Sequence, residues 1–260
     1  MMAKGSDLNM SRFRFFQNLF LKRSVQDPKP TILSIKAQTQ NWRRADRKMG
    51  WDIDDDEFEQ LEAFSGAPMT DDIRSRGFIG CVVFYGFGDD GRGNADAILS
   101  AKLAWDYAVK TRKNKTWQCE YIDFSRPQDM RLRPGAPVRP KGFYHAWIQP
   151  GKRFINMTVA QVRKKFNSAT GLAAEGFQFL TITHPHFAEL MNQRKIPFMA
   201  LADYDVAPHG FNDFYDVPQL FCSNGKLGLG IGNVDRNYPL FGIPILQFID
   251  NPFSQKQHSE

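Results

Sequence analysis

Four stretches of this chain carry side chains at spacings that chemistry uses. In the first, Gly86-Phe-Gly88-Asp-Asp-Gly91 stands after an apolar run and before a helical pattern. Glycines spaced G-x-G-x-x-G in that setting let backbone N–H groups reach a pyrophosphate at a helix N-terminus. Glu120 and Asp123 stand near the end of the next strand pattern, where a ribose-binding acid belongs. The fit is incomplete. Arg92-Gly93-Asn94 separates the last glycine from the helix, and Asp89 and Asp90 would meet a phosphate with like charge. From Gly91 to Glu120 is about thirty residues, against about twenty in the fingerprint. The structural alternative is a loop that needs glycine for its turns. Asp89 and Asp90 are also oxygen ligands of the type a divalent cation takes.

The second stretch is His184-Pro-His186, with Glu189 one turn further on. A metal there would need more ligands from Asp203, Asp205 or His209. The competing reading is a helix start, with Thr183 or His184 as cap, Pro185 in the first turn, and His186 and Glu189 as exposed neighbours. The third stretch places Asp203, Asp205, His209, Asp213 and Asp216 after a strand pattern at Ile196–Ala202, among Tyr204, Phe211, Phe214 and Tyr215. Carboxylates and a histidine at the C-terminal end of a strand suit acid–base chemistry. Asp residues also close ordinary turns. No G-x-S-x-G, Walker A or H-E-x-x-H pattern accompanies them.

The fourth stretch interleaves Arg126, Arg131, Arg133, Arg139 and Lys141 with Pro127, Pro134, Pro137 and Pro140, and Arg163-Lys164-Lys165 follows later. Trp117, Phe143, Tyr144 and Trp147 bracket the prolines. Alternating charge and stacking surface is what single-stranded nucleic acid uses. The alternative is a solvated basic loop lying near an acidic block. Gly228, Gly230 and Gly232 resemble a nucleotide motif, but Leu227, Leu229 and Ile231 alternate with them. The glycines therefore fall on one face of a strand, a face crossed closely by other backbone or by an aromatic ring.

The elements that must position these groups are legible as periodic patterns. A basic amphipathic segment carries Phe13, Phe16 and Phe20 at helical spacing, and Thr31–Ala37 reads as a short strand. An acidic helix spans Glu57–Phe64 and ends at Gly66-Ala67-Pro68. Phe78–Tyr85 is a nearly continuous apolar strand. Asn94 caps a helix running to about Arg112, and Trp117–Phe124 is a second strand. Strand, helix and strand of this length predict a right-handed parallel crossover. Phe143–Ile148 reads as a strand, and Thr158-x-x-Gln161 is a capping box. Helices are expected at Leu172–Ile182 and Pro185–Gln193. Val217–Ser223 and Lys226–Gly232, joined by Asn224-Gly225, predict a hairpin with a type I′ turn. Gly242–Ile249 is the last strand.

The 260 residues are 42% hydrophobic, 13% aromatic and 24% charged, with 23 Phe, which is a folded composition. Such a length allows one large domain or two small ones. No window is apolar enough for a membrane span, and no cleavage site follows the first 25 residues, so a soluble, unprocessed protein is expected. Cys81, Cys119 and Cys222 are widely spaced, with no C-x-x-C for a zinc ribbon. Reduced thiols in a cytoplasm fit that pattern.

The net charge of +6 conceals segregation. Residues 1–50 hold eleven basic against three acidic residues, residues 51–75 hold one against nine, and residues 101–165 hold fifteen against four. Either the acidic block, centred on Asp54–Glu57, lies against a basic one, or a basic face meets an anionic partner. An isoelectric point near 9.2 suits both.

The sequence thus predicts an α+β fold. A mixed central sheet holds one parallel βαβ unit at about 77–124 and the antiparallel C-terminal hairpin, with helices packed around it. A charged helical region at 1–75 joins a core at 76–250, and 251–260 fray. The leading function is a non-catalytic binding protein with a basic surface for nucleic acid or another polyanion. The alternative is a metal- or nucleotide-dependent enzyme with a site built from the loops 86–94 and 203–209.

Overall fold

Ser34 starts the first helix, because its hydroxyl accepts the Ala37 N–H and so satisfies one of the donors a helix start leaves open. That places Ile35–Met49 in helix α1 and overturns the strand expected at Thr31–Ala37. Gly50, at φ 68°, ends it. The computed structural model describes residues 30–249, except 65, 89–93, 167–168 and 208–212. The Phe13–Phe20 segment and the tail after 249 lie outside the described residues.

Helices α2 (Asp55–Ala63) and α3 (Asp71–Ser75) follow, then strand β1 (Gly80–Gly86), helix α4 (Asn94–Arg112) and strand β2 (Thr116–Gln118). The middle of the chain holds β3 (Met130–Leu132), β4 (Gly142–Gln149), α5 (Val159–Arg163), β5 (Thr170–Gly171) and α6 (Ala174–Gln178). Both bonds of the Thr158–Gln161 capping box are made at the start of α5. Helix α6 continues through a π turn at Phe179–Thr183, and α7 (His186–Asn192) comes after it. The last strands are β6 (Phe198–Ala200), β7 (Tyr204–Val206), β8 (Asp216–Ser223), β9 (Lys226–Asn233), β10 (Phe241–Gly242) and β11 (Ile245–Phe248).

The class is α+β, with parallel and antiparallel pairings. One sheet is antiparallel in the order β1-β4-β11-β5. The larger sheet runs β10-β6-β8-β7-β3, and the other side of β8 pairs with β9, which pairs with β2. Its parallel pairs are β10–β6 and β2–β9. The predicted hairpin is β8–β9, in register from Ser223↔Lys226 to Asp216↔Asn233. Its turn residues Asn224 and Gly225 have φ of 51° and 72°, as a type I′ turn requires.

The strands flanking α4 do not pair with each other, because side-chain amides occupy the free edge of β1. Gln38 donates to the Cys81 carbonyl at 3.0 Å and accepts the Val83 N–H at 2.9 Å. Gln178 accepts from Tyr85 N at 3.0 Å and donates to Tyr85 O at 2.7 Å, and Trp42 donates to the Val83 carbonyl. Both glutamines are fully buried, so the edge is sealed against a further strand. Asn94 does the same for β3. Its amide accepts the Leu132 N–H and donates to the Met130 carbonyl, instead of capping α4.

Every residue from Leu172 to His184 is buried, and the polar Glu175, Gln178 and His184 among them are each hydrogen-bonded. Phe177, Phe179, Leu180 and Ile182 join Trp42, Phe84, Trp105, Tyr204 and Leu246 in one continuous core. The π turn bonds His184 N to Phe179 O at 2.8 Å. A smaller cluster, in which Val159 and Val162 of α5 meet Val217 and Val234, covers the Val217 end of one face of the larger sheet.

Candidate functional site

The arginines of the proline-rich stretch divide by burial. Arg139 is 6% exposed, and its Nε lies 2.8 Å from Glu175 and its Nη2 2.6 Å from Asp203. It also donates to the carbonyls of Pro137 and Gly171. Glu175 accepts from the Tyr144 hydroxyl and the Ala173 N–H, and Asp203 accepts from Arg133 at 2.7 Å and from the Thr170 hydroxyl. Burial opposes the charge of Arg139, but the two carboxylates outweigh it and raise its pKa. Burial and the neighbouring Glu175 raise Tyr144 well above the ordinary phenol range. Arg163 donates to the Ala202 and Tyr204 carbonyls and lies 2.9 Å from Asp205. This cluster ties the Arg133–Arg139 segment to β5, α6 and the turn before β7. It consumes Arg133, Arg139, Asp203 and much of Arg163.

Other members of the basic series stay near solvent. Arg126 pairs with Asp129 at 3.0 Å, and Arg131 stacks over Phe214 while standing 3.9 Å from Asp205. Lys141, Lys164 and Lys165 are exposed. Phe143, Tyr144 and Trp147, expected to bracket the arginines, are inside or half-buried on β4. The acidic helix α2 meets α1 instead, where Arg43 pairs with Asp55 and Glu62.

His184 and His186 hold the segment that precedes α1. The Leu33 N–H donates to His184 Nε2 at 2.9 Å, so the His184 proton sits on Nδ1, 3.0 Å from Thr183 Oγ1. Burial, and secondarily His186, pushes His184 down to about 3. His186 Nε2 lies 3.1 Å from the Thr31 carbonyl. Among the described residues, no three His, Cys, Asp or Glu side chains gather as a metal ion would need. Asp89, Asp90, Gly91 and His209 lie outside the described residues. In the glycine loop, a Cβ at Gly86 would run into the Pro140 carbonyl, and Gly88 has φ 119° beside Asp96. Gly86, Phe87, Ser100, Arg139 and Tyr144 line a space of about 10 Å³, room for about one water molecule.

The sequence reading missed a row of aromatic rings across the larger sheet. Trp117 of β2 is opposite Gly228 of β9, which is opposite Phe221 of β8. One step along the β6–β8 register from Met199↔Leu220 brings in Phe198, which pairs with Phe241 of β10. Ring centroids are 5.9 Å apart for Trp117–Phe221, 5.8 Å for Phe221–Phe198 and 5.2 Å for Phe198–Phe241. Residues in one register row share a face. It is the face that α5 covers only at the Val217 end. Trp117 is 50% exposed, Phe221 and Phe198 are half-buried, and Phe241 is buried at the far end.

Gly228 makes room for the row, since a Cβ there would strike the Phe221 ring. The alternating glycines and the two-residue turn, which sets Phe221 against Gly228, were the available signals in the sequence. The contributions of Trp117, Phe198 and Phe241 come from strands distant in the chain. Comparison with protein-family models, with curated proteins and with solved structures finds no match for this chain.

Proposed function

We propose that this chain is a non-catalytic binding protein that holds a polyanion on the open half of its larger sheet. One observation carries the reading: exposed Trp117 stands beside the exposed side chains Lys113, Lys115 and Lys226. From 107 to 119 the chain has Lys110, Arg112, Lys113 and Lys115, bounded by Asp106 and the exposed Glu120. Lys113, Lys115 and Lys226 are exposed. Leu227 N donates to the Lys115 carbonyl, which sets Lys115 beside Lys226. By strand alternation Lys115 shares the face of Trp117, and Lys226 that of Gly228. Lysine at such a rim contributes charge and counterion release. The cytoplasm is the compartment we propose, because the three cysteines are unpaired. No helix among the described residues is long and apolar enough to cross a membrane.

The test is salt-dependent retention on heparin, comparing the native chain with Lys113→Gln/Lys115→Gln/Lys226→Gln. The triple variant is expected to elute at lower salt with an unchanged melting temperature. Its binding to a single-stranded oligonucleotide should lose about 2 from the slope of log K against log salt. Unchanged retention would overturn the proposal. Loss of retention in Arg131→Gln/Lys164→Gln/Lys165→Gln instead would move the site to the exposed remnant of the arginine series.

A further inference from the structure

We infer that the aromatic row is a stacking platform for unpaired bases, so that the polyanion is single-stranded nucleic acid. This rests on the polyanion reading and names its ligand class. From Trp117 on β2 to Phe198 on β6 the row crosses three strand spacings, about 14 Å. Sheets that read single strands stack two or three bases on such rows. Here the glycines of β9 let the rings lie close against the sheet. Gly228 stands between Trp117 and Phe221, and Gly230 stands beside it on the same strand, its Cβ position 3.4 Å from Phe221 and 3.8 Å from Trp117. The Phe221 ring lies over Gly228, so a base would stack on the outer faces of Trp117 and Phe221 and not on the backbone of β9.

The borders of the platform set the direction of the strand. Val159 and Val162 of α5 close the flank at Val217. Tyr238 packs on the buried Phe241 at 6.0 Å and closes the β10 end. The open end is the one that carries Lys113, Lys115 and Lys226, where phosphates would run while bases turn inward onto the rings. A duplex keeps its bases stacked on each other and offers this face phosphates alone, so the rings would add nothing to its binding. An acidic protein would meet the lysines and leave the rings unstacked.

Fluorescence anisotropy with labelled oligo-dT, oligo-U and a mixed-sequence duplex, alongside heparin retention, tests the inference. The native chain should prefer the single strands. Trp117→Ala should weaken oligo-dT binding about ten-fold, with heparin retention and melting temperature unchanged. Trp117→Phe should recover most of the loss, and Phe198→Leu should weaken binding less than Trp117→Ala. If the duplex is preferred, or Trp117→Ala binds oligo-dT as the native chain does, the stacking inference is wrong while heparin retention still supports the polyanion reading. If neither heparin nor any oligonucleotide is held, the failure lies in the polyanion reading itself. Self-association that Trp117→Ala abolishes, without oligonucleotide binding, would assign the face to a second copy of the chain and overturn the inference.

Discussion

Residues 126–141 and 107–119 are both dense in positive charge, and the fold treats them in opposite ways. In the first, Arg133 and Arg139 turn inward to Asp203 and Glu175, more than thirty residues away in the chain. In the second, Lys113 and Lys115 stay in water beside an exposed tryptophan. The difference follows the chemistry of the two cations. A guanidinium offers five donors in a planar fork and can satisfy two carboxylates and two carbonyls at once, as Arg139 does. An ammonium is more strongly hydrated and costs more to bury. Charge density along a sequence therefore does not locate a basic surface. The carboxylates folded against it decide.

The largest effect should come from breaking the buried side of this contrast. Arg139→Ala leaves Glu175 and Asp203 without their shared cation and should cost about 3–5 kcal/mol, read from urea denaturation. Lys115→Ala and Lys226→Ala should each stay within about 0.5 kcal/mol of the native chain. Equal costs in the two regions would mean that the arginine cluster is not a structural tie.

Acid should also separate buried from open groups. His145 is pushed down to about 4 by burial, and His184 to about 3. Well above about pH 6.5 both are neutral folded and unfolded, and stability is at its full value. Below that the unfolded chain takes up protons that the folded rings refuse, so stability falls as pH drops toward 4. Urea midpoints between about pH 7 and 5 should decline, and His184→Gln should flatten the decline. An unchanged slope in that variant would remove His184 from the account.

A smaller loss than that of the arginine cluster is expected in the hairpin. Gly225 has open space around its Cβ position but a positive φ, so Gly225→Ala should cost about 1–2 kcal/mol through backbone strain alone. Because the turn lies beyond Lys226, this loss should leave oligo-dT affinity unchanged once the chain is folded. A parallel loss of binding would tie the platform to turn geometry and not to the rings.

The sequence by itself determined the locally encoded parts. The β8–β9 hairpin follows from Asn224-Gly225, the start of α5 from Thr158 and Gln161, and the length of α4 from its apolar period, because each rests on contacts within a few residues. The aromatic contact over Gly228 was legible for the same reason, since the two-residue turn fixes its register. Tertiary structure alone decided what crosses long separations. Gln38 and Gln178 seal β1, so the strands around α4 part into two sheets. Asp203 and Glu175 claim arginines that the chain displays as a basic series. Trp117, Phe198 and Phe241 reach one row from three distant strands. Local propensity is set by neighbours in sequence, whereas burial, ion pairing and strand partnership depend on which surfaces meet, and no spacing along the chain records that.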